Sequence, residues 1–220
     1  MRTDASPQSS TGSRPPEVRQ NDQPMDATRR LTIERIRTAR ASIDPVFLNS
    51  AQFEHPSLDR ALGLQLMLKV ETINPVRSFK GRGSSWLLTN TPPTGQVVCA
   101  SAGNFGQAPA YCPRSTGHHI TVFAARNANP FKVEAMKTLG ATVHLDGEYF
   151  DAARAAARRY AAATSARLVV DSLDIETAEG AGTIALELLE GLLRRNTRRD
   201  DHLRQQPHQR ATAHLALRGC

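Results

Sequence analysis

Hydrophobic positions first recur at helical spacing from Leu31. Leu31, Ile33, Ile36, Ala39 and Ile43 fall on one face, with Thr32 placed to cap the helix and Pro45 to end it. The pattern then changes period. Gly63 to Val70 alternates and predicts a strand, and Lys80 to Leu88 predicts a helix. Gln96 to Ala100 is a short apolar run with the character of a buried strand, and it leads into a small-residue loop, Ser101 to Gly106, with a helix beginning near Gln107. Further strands are predicted at 119–124, 141–145 and 167–170. Helices are predicted at 130–139, closed by Gly140, at 151–163 and at 182–193, with Gly180 and Gly182 read as the start of the last. Strands alternating with helices of this length predict an α/β fold with mostly parallel strands and right-handed crossovers.

The two ends differ from this body. Residues 1–27 are rich in Ser, Pro, Gln, Asp and Arg, with almost no large apolar side chain, and are expected to be disordered. Residues 194–220 are dominated by Arg, His, Gln, Asp and Ala and are expected to form an atypical basic tail without regular structure, a replaced end or a shifted reading frame. This tail also accounts for the charge. The chain has a formal net charge of +7, and from Arg194 to Cys220 there are seven arginines against two aspartates, so the body is close to neutral. A basic nucleic-acid-binding face is therefore not expected on the globular part.

The chain has no apolar run of about 18 residues, so neither a membrane span nor membrane association is expected. The N-terminus lacks the apolar core of a secretory signal, and its acids Asp4, Glu17 and Asp22 disfavour a transit peptide. The three cysteines, Cys99, Cys112 and Cys220, form no C-x-x-C pair. A zinc site or disulfide framework is not expected, and a reducing cytoplasm is. Cys99 reads as a small core residue, and His118-His119 as a solvated loop pair without metal partners.

Two segments carry chemistry. Lys69 to Gly83 (KVETINPVRSFKGRG) places Lys80 between an aromatic residue and a glycine pair, at a strand-to-helix passage. Ser101 to Gln107 (SAGNFGQ) follows at the carboxyl end of a strand, where open α/β sheets bind ligands. A lysine amine can hold an aldehyde covalently and can also move a proton. Small residues let backbone amides approach an anion.

Together these segments resemble the lysine motif and asparagine loop of fold-type II pyridoxal-phosphate enzymes, the threonine/serine dehydratase group, which is tryptophan synthase beta-like. The resemblance runs from about Leu31 to Leu193, with further support at Lys132–Gly147 and Glu179–Glu187. It implies pyridoxal 5'-phosphate as cofactor, held by Lys80, which is also the catalytic base. Phe79 would flank the cofactor ring and Asn104 would bond its ring oxygen. Ser101, Ala102 and Gly103 would bind the carboxylate of a small amino-acid substrate. The implied reaction is β-elimination of hydroxyl from L-threonine or L-serine, giving a 2-oxo acid and ammonia. Racemisation on the same scaffold stays open, as does a homo-oligomer.

The resemblance also implies a two-domain fold of parallel sheets with flanking helices. A small domain at about 83–170 would be complete within 28–193, and the larger domain incomplete, so the chain is expected to be truncated on its C-terminal side. No glycine cluster follows Leu193 to cradle the cofactor phosphate. Hydrogen bonds to a charged group contribute about 1.5–3 kcal/mol each, and micromolar binding amounts to only about 8 kcal/mol. Impaired activity is therefore expected, and an inactive, sheet-completing partner of a full-length relative is the alternative. Arg77 and Phe105 stand where many members have a small residue and a histidine.

Overall fold

The computed structural model describes residues 31–205 except Thr94, Ser115 and Ser172, with the side chains of Arg114 and of 196–205 left aside. The expectations for 1–27 and 206–220 lie outside the described residues. Helices are α1 (Ile33–Ser42), α2 (Pro56–Leu62), α3 (Lys80–Thr89), α4 (Asn104–Tyr111), α5 (Pro130–Thr138), α6 (Phe150–Thr164) and α7 (Ile175–Gln205). Strands are β1 (Gln52–Glu54), β2 (Met67–Lys69), β3 (Gln96–Ala100), β4 (His119–Ala124), β5 (Thr142–Leu145) and β6 (Arg167–Val169).

Four strands form a parallel sheet in the order β5-β4-β3-β6, with Val97 opposite Ile120 on one side and Arg167 on the other. Both faces are covered, as parallel sheets require. On one face Val97, Cys99, Ile120 and Val122 pack with Ala39, Trp86, Leu87, Ala108 and Met136 from the helices. On the other, Val98 and Phe123 meet Ala153, Ala156 and Ala157 of α6. The period-2 alternation within each strand makes this division. The alanine-rich face of α6 lets that helix lie close to the sheet.

Most predicted elements form where expected, and Thr32 caps α1 by accepting the N–H of Arg35. Three do not. The predicted strand 63–70 shrinks to Met67–Lys69, because Pro56 opens a short helix that Gly63 closes in the left-handed region at φ 66°. Moreover, β2 pairs antiparallel with β1, outside the parallel sheet.

The last helix starts at Ile175, seven residues before Gly182. Gly180 and Gly182 are interior positions where α7 crosses its neighbours. A Cβ on Gly180 would lie 2.5 Å from Cα of Gly83 in α3, and one on Gly182 would lie 2.8 Å from Ile36 in α1. These glycines permit close helix crossing, which periodicity along one helix does not reveal. Finally, α7 continues beyond Leu193 to Gln205, so no break in helix falls at the change in composition. Arg and Gln sustain a helix without an apolar stripe, and Arg194 pairs with Glu190 one turn back at 3.8 Å.

His118 departs from its expected place as well. It is buried, with its ring nitrogens 2.7 Å from Thr116 Oγ1 and 3.2 Å from the Thr91 carbonyl. Only His119 is exposed. Cys99 and Cys112 are both buried.

A buried charge cluster ties β2 and α3 to α7. The Arg82 side chain is fully buried. Its guanidinium donates to both oxygens of Glu71 (2.9 Å each), both of Glu187 (2.8 and 3.0 Å), Thr183 Oγ1 (3.0 Å) and Ser50 Oγ (3.1 Å). Lys69 Nζ lies 2.7 Å from Glu187. Two cations thus face two carboxylates.

Burial alone would raise the Glu187 pKa. Hydrogen bonds from Arg82, Lys69 and the Asn49 N–H outweigh it and bring it from 4.5 to about 2. A carboxylate held below its unfolded value stabilises the fold fully above about pH 4.5, and the contribution disappears as pH falls toward 2. The loss is expected to be on the order of 3 kcal/mol. Urea midpoints measured between pH 6 and 2 check it, and Glu187→Gln is expected to flatten that slope.

Candidate active site

Lys80 is the first residue of α3, and Ser78 Oγ accepts its backbone N–H at 3.1 Å. The turn before it is built by Asn74. Its side-chain oxygen accepts the N–H groups of Val76 (3.1 Å) and Ser78 (3.4 Å), and its amide donates to the carbonyls of Glu71 (2.8 Å) and Ser78 (3.1 Å). Arg77 sits in this turn with φ 52°, a left-handed conformation that glycine takes more readily. Gly81 and Gly83 follow because α3 is crowded: a Cβ at Gly81 would lie 2.2 Å from the Phe47 ring, and one at Gly83 2.6 Å from the Thr177 carbonyl.

Lys80 Nζ lies 4.7 Å from the centre of the Phe79 ring, which is partly exposed. The same amine meets Asp171, with 2.9 Å to Oδ1 and 2.7 Å to Oδ2. Asp171 is not marked in the sequence, since a single aspartate after a strand carries no spacing signal of its own.

Asp171 and Ser101 emerge side by side. Cys99 pairs with Val169 in the parallel sheet, and each of the two site residues follows its partner by two positions. Ser101 Oγ accepts the N–H groups of Gly103 (3.1 Å) and Gly106 (2.9 Å), while the Ser101 N–H is taken by the Phe123 carbonyl. Ser101 therefore shapes the loop, and the N–H groups of Ser101 and Gly103 are engaged within the protein. Among the described residues, the Ala102 N–H and the Ser101 hydroxyl proton have no protein partner and are free for a ligand. Asn104 begins α4 with an exposed side chain, and Phe105 turns into the core. Lys132 Nζ lies 3.8 Å from where a Cβ on Gly103 would stand.

The cluster thus joins a lysine amine, an aromatic face, a carboxylate and the small-residue Ser101 loop at the carboxyl edge of a parallel sheet. A cavity of about 520 Å³ lies elsewhere, against β1, β2 and α7, and is lined by Ser50, Phe53, Met67, Lys69, Glu187 and Arg194 among others. It includes none of the site residues above. Among the described residues no group of three His, Cys, Asp or Glu side chains could hold a metal.

A lysine-based site on this scaffold defines a class of cofactor enzyme, and comparison with known proteins agrees. Residues 45–199 match the family model described as pyridoxal-phosphate dependent enzyme, and the chain belongs to that family. An L-threonine ammonia-lyase of Thermotoga maritima is 33% identical over 165 residues, covering 74% of this chain and 41% of that protein. A serine racemase of Oryza sativa subsp. indica is 31% identical over 161 residues, covering 72% and 48%. Among solved structures, a pyridoxal 5'-phosphate-dependent aspartate racemase superposes with TM-score 0.67 at 28% identity, over 81% of this chain and 52% of that one. The chain spans about half the length, or less, of these relatives.

The family's cofactor is pyridoxal phosphate. The residues present fit its aldehyde and ring. Lys80 offers an amine at the sheet edge, Phe79 a flat apolar face beside it, and Asn104 an exposed amide. From Arg194 to Gln205 the chain is helical and contains no glycine to cradle a phosphate.

Proposed function

We propose that this chain carries the lysine-bearing part of a pyridoxal-phosphate-dependent ammonia-lyase acting on L-threonine or L-serine. The observation that carries this reading is Lys80 at the carboxyl edge of the sheet, with its amine on Asp171 and over Phe79, beside the Ser101 loop. Bound cofactor supplies an electron sink for the substrate α-carbon. The protein supplies the rest. Lys80 would hold the cofactor aldehyde, and its amine is the base that would take up the substrate α-proton. Ser101, Ala102 and Gly103 form the substrate-carboxylate loop, with the Ser101 hydroxyl and the Ala102 N–H as its available donors. Asn104 bonds the ring oxygen and Phe79 covers the ring. The β-hydroxyl would leave with a proton as water, and the enamine so formed would take up one water to give the 2-oxo acid and ammonia.

Racemisation is the second reading, favoured by the serine racemase and aspartate racemase among the relatives. Incubating the full chain and cofactor with each L-amino acid separates the two. The expected products are 2-oxo acid and ammonia in equal amounts, whereas D-amino acid without ammonia supports racemisation. Neither product supports a third role, that of a partner completing the sheet of a longer relative. Exposed Leu189, Leu192 and Leu193 on α7 and Phe53 on β1 offer apolar surface for such a role or for a homo-oligomer. Cys99, a buried thiol outside any disulfide, suits a reducing, cytoplasmic setting.

A further inference from the structure

We propose that Asp171 is a positioning residue for Lys80, holding its ε-amine at the sheet edge whenever that amine is not covalently engaged. Both carboxylate oxygens lie within 2.9 Å of Nζ, so the carboxylate grips the amine from two directions.

The surroundings hold the backbone of Asp171 in place. The Thr177 hydroxyl lies 2.6 Å from the Asp171 carbonyl and 2.7 Å from that of Asp174. Asp174 accepts the Val170 N–H at 2.6 Å and lies 3.6 Å from Arg167. The turn after β6 is therefore braced on both sides. The same Thr177 is the residue against which Gly83 packs without room for a methyl group. Lys80 stands three residues before Gly83 and Asp171 six before Thr177, so the α3–α7 crossing sets the distance between amine and carboxylate.

Strand register adds the reason this matters. Asp171 leaves the sheet level with Ser101, so an amine resting on Asp171 stays next to the loop offered to the substrate carboxylate. The catalytic consequence rests on the cofactor reading above, but the ion pair itself does not.

The test is competitive acetylation of the full chain with trace acetic anhydride, read peptide by peptide by mass spectrometry. In this reaction the amine lone pair attacks the anhydride carbonyl, acetate leaves, and the proton lost from nitrogen passes to solvent. An amine gripped by a carboxylate must first leave it. Without cofactor, labelling of Lys80 relative to Lys132 is expected to rise about two- to five-fold in Asp171→Asn, the factor set by an ion pair of this exposure. Asp171→Glu is expected to restore the lower ratio. Thermal melts of both variants establish that each is folded. Equal ratios in wild type and Asp171→Asn, or a rise that Asp171→Glu does not reverse, would overturn the proposal.

A second arm adds pyridoxal phosphate, which is expected to protect Lys80 in all three proteins. Lack of protection in the wild type counts against the cofactor reading alone, since the cofactor-free ratios still decide the role of Asp171.

Discussion

Replacing Lys80 by alanine is expected to abolish the visible absorption band that pyridoxal phosphate develops with this protein, and with it any turnover. The band requires a covalent bond between an amine and the cofactor aldehyde, and Lys80 is the amine at the sheet edge. The variant is expected to fold. Lys80 is the first residue of α3 and partly exposed, alanine is a good helix former, and Asp171 is exposed enough for water to replace the lost amine. Loss of the band therefore reports chemistry. Proton transfer alone contributes about 10²- to 10⁴-fold in rate, so residual turnover should fall at least that far. An undiminished band in Lys80→Ala would place the adduct on another amine, with the exposed Lys132 beside the loop as the first to test.

The second large effect is on stability. Arg82→Met is expected to cost about 3–5 kcal/mol, the range for breaking a buried ion pair by removing one partner. Every N–H of this guanidinium has an acceptor, and the carboxylates of Glu71 and Glu187 are largely buried. Without Arg82, Lys69 alone faces two negative charges. Domains of this size are stable by only about 5–15 kcal/mol, so the variant should unfold at far lower urea than the wild type. Arg82→Lys is expected to fall between the two, since it restores one charge but not the fork that reaches both carboxylates. A change in unfolding free energy below about 1 kcal/mol in Arg82→Met would show that the cluster does not hold α7 to β2.

These two lysine and arginine positions lie in one motif yet differed in legibility. Lys80 stands between an aromatic residue and a glycine at a strand-to-helix passage, and the Ser101 loop follows a short apolar strand, so local patterning marked both. Lys69 closes β2 and Glu71 follows two positions later, a spacing that could have marked a buried charged pair. Nothing local indicated that Arg82 closes it, because its second carboxylate, Glu187, lies 105 residues away. The same holds for Asp171, 91 residues from Lys80.

The sequence by itself determined the alternation of strands and helices, the parallel sheet they imply, the lysine at the start of a helix, and the loop at the sheet's carboxyl edge. These follow from periods of 2 and 3.6 and from residues needed within a few positions of one another. Only the tertiary structure decided where α7 begins, what Gly83 and Gly180 are for, which amides of the Ser101 loop are already taken, and which carboxylates meet Arg82 and Lys80. Each of these depends on two distant segments approaching within a few ångströms, and chain periodicity carries no record of that approach.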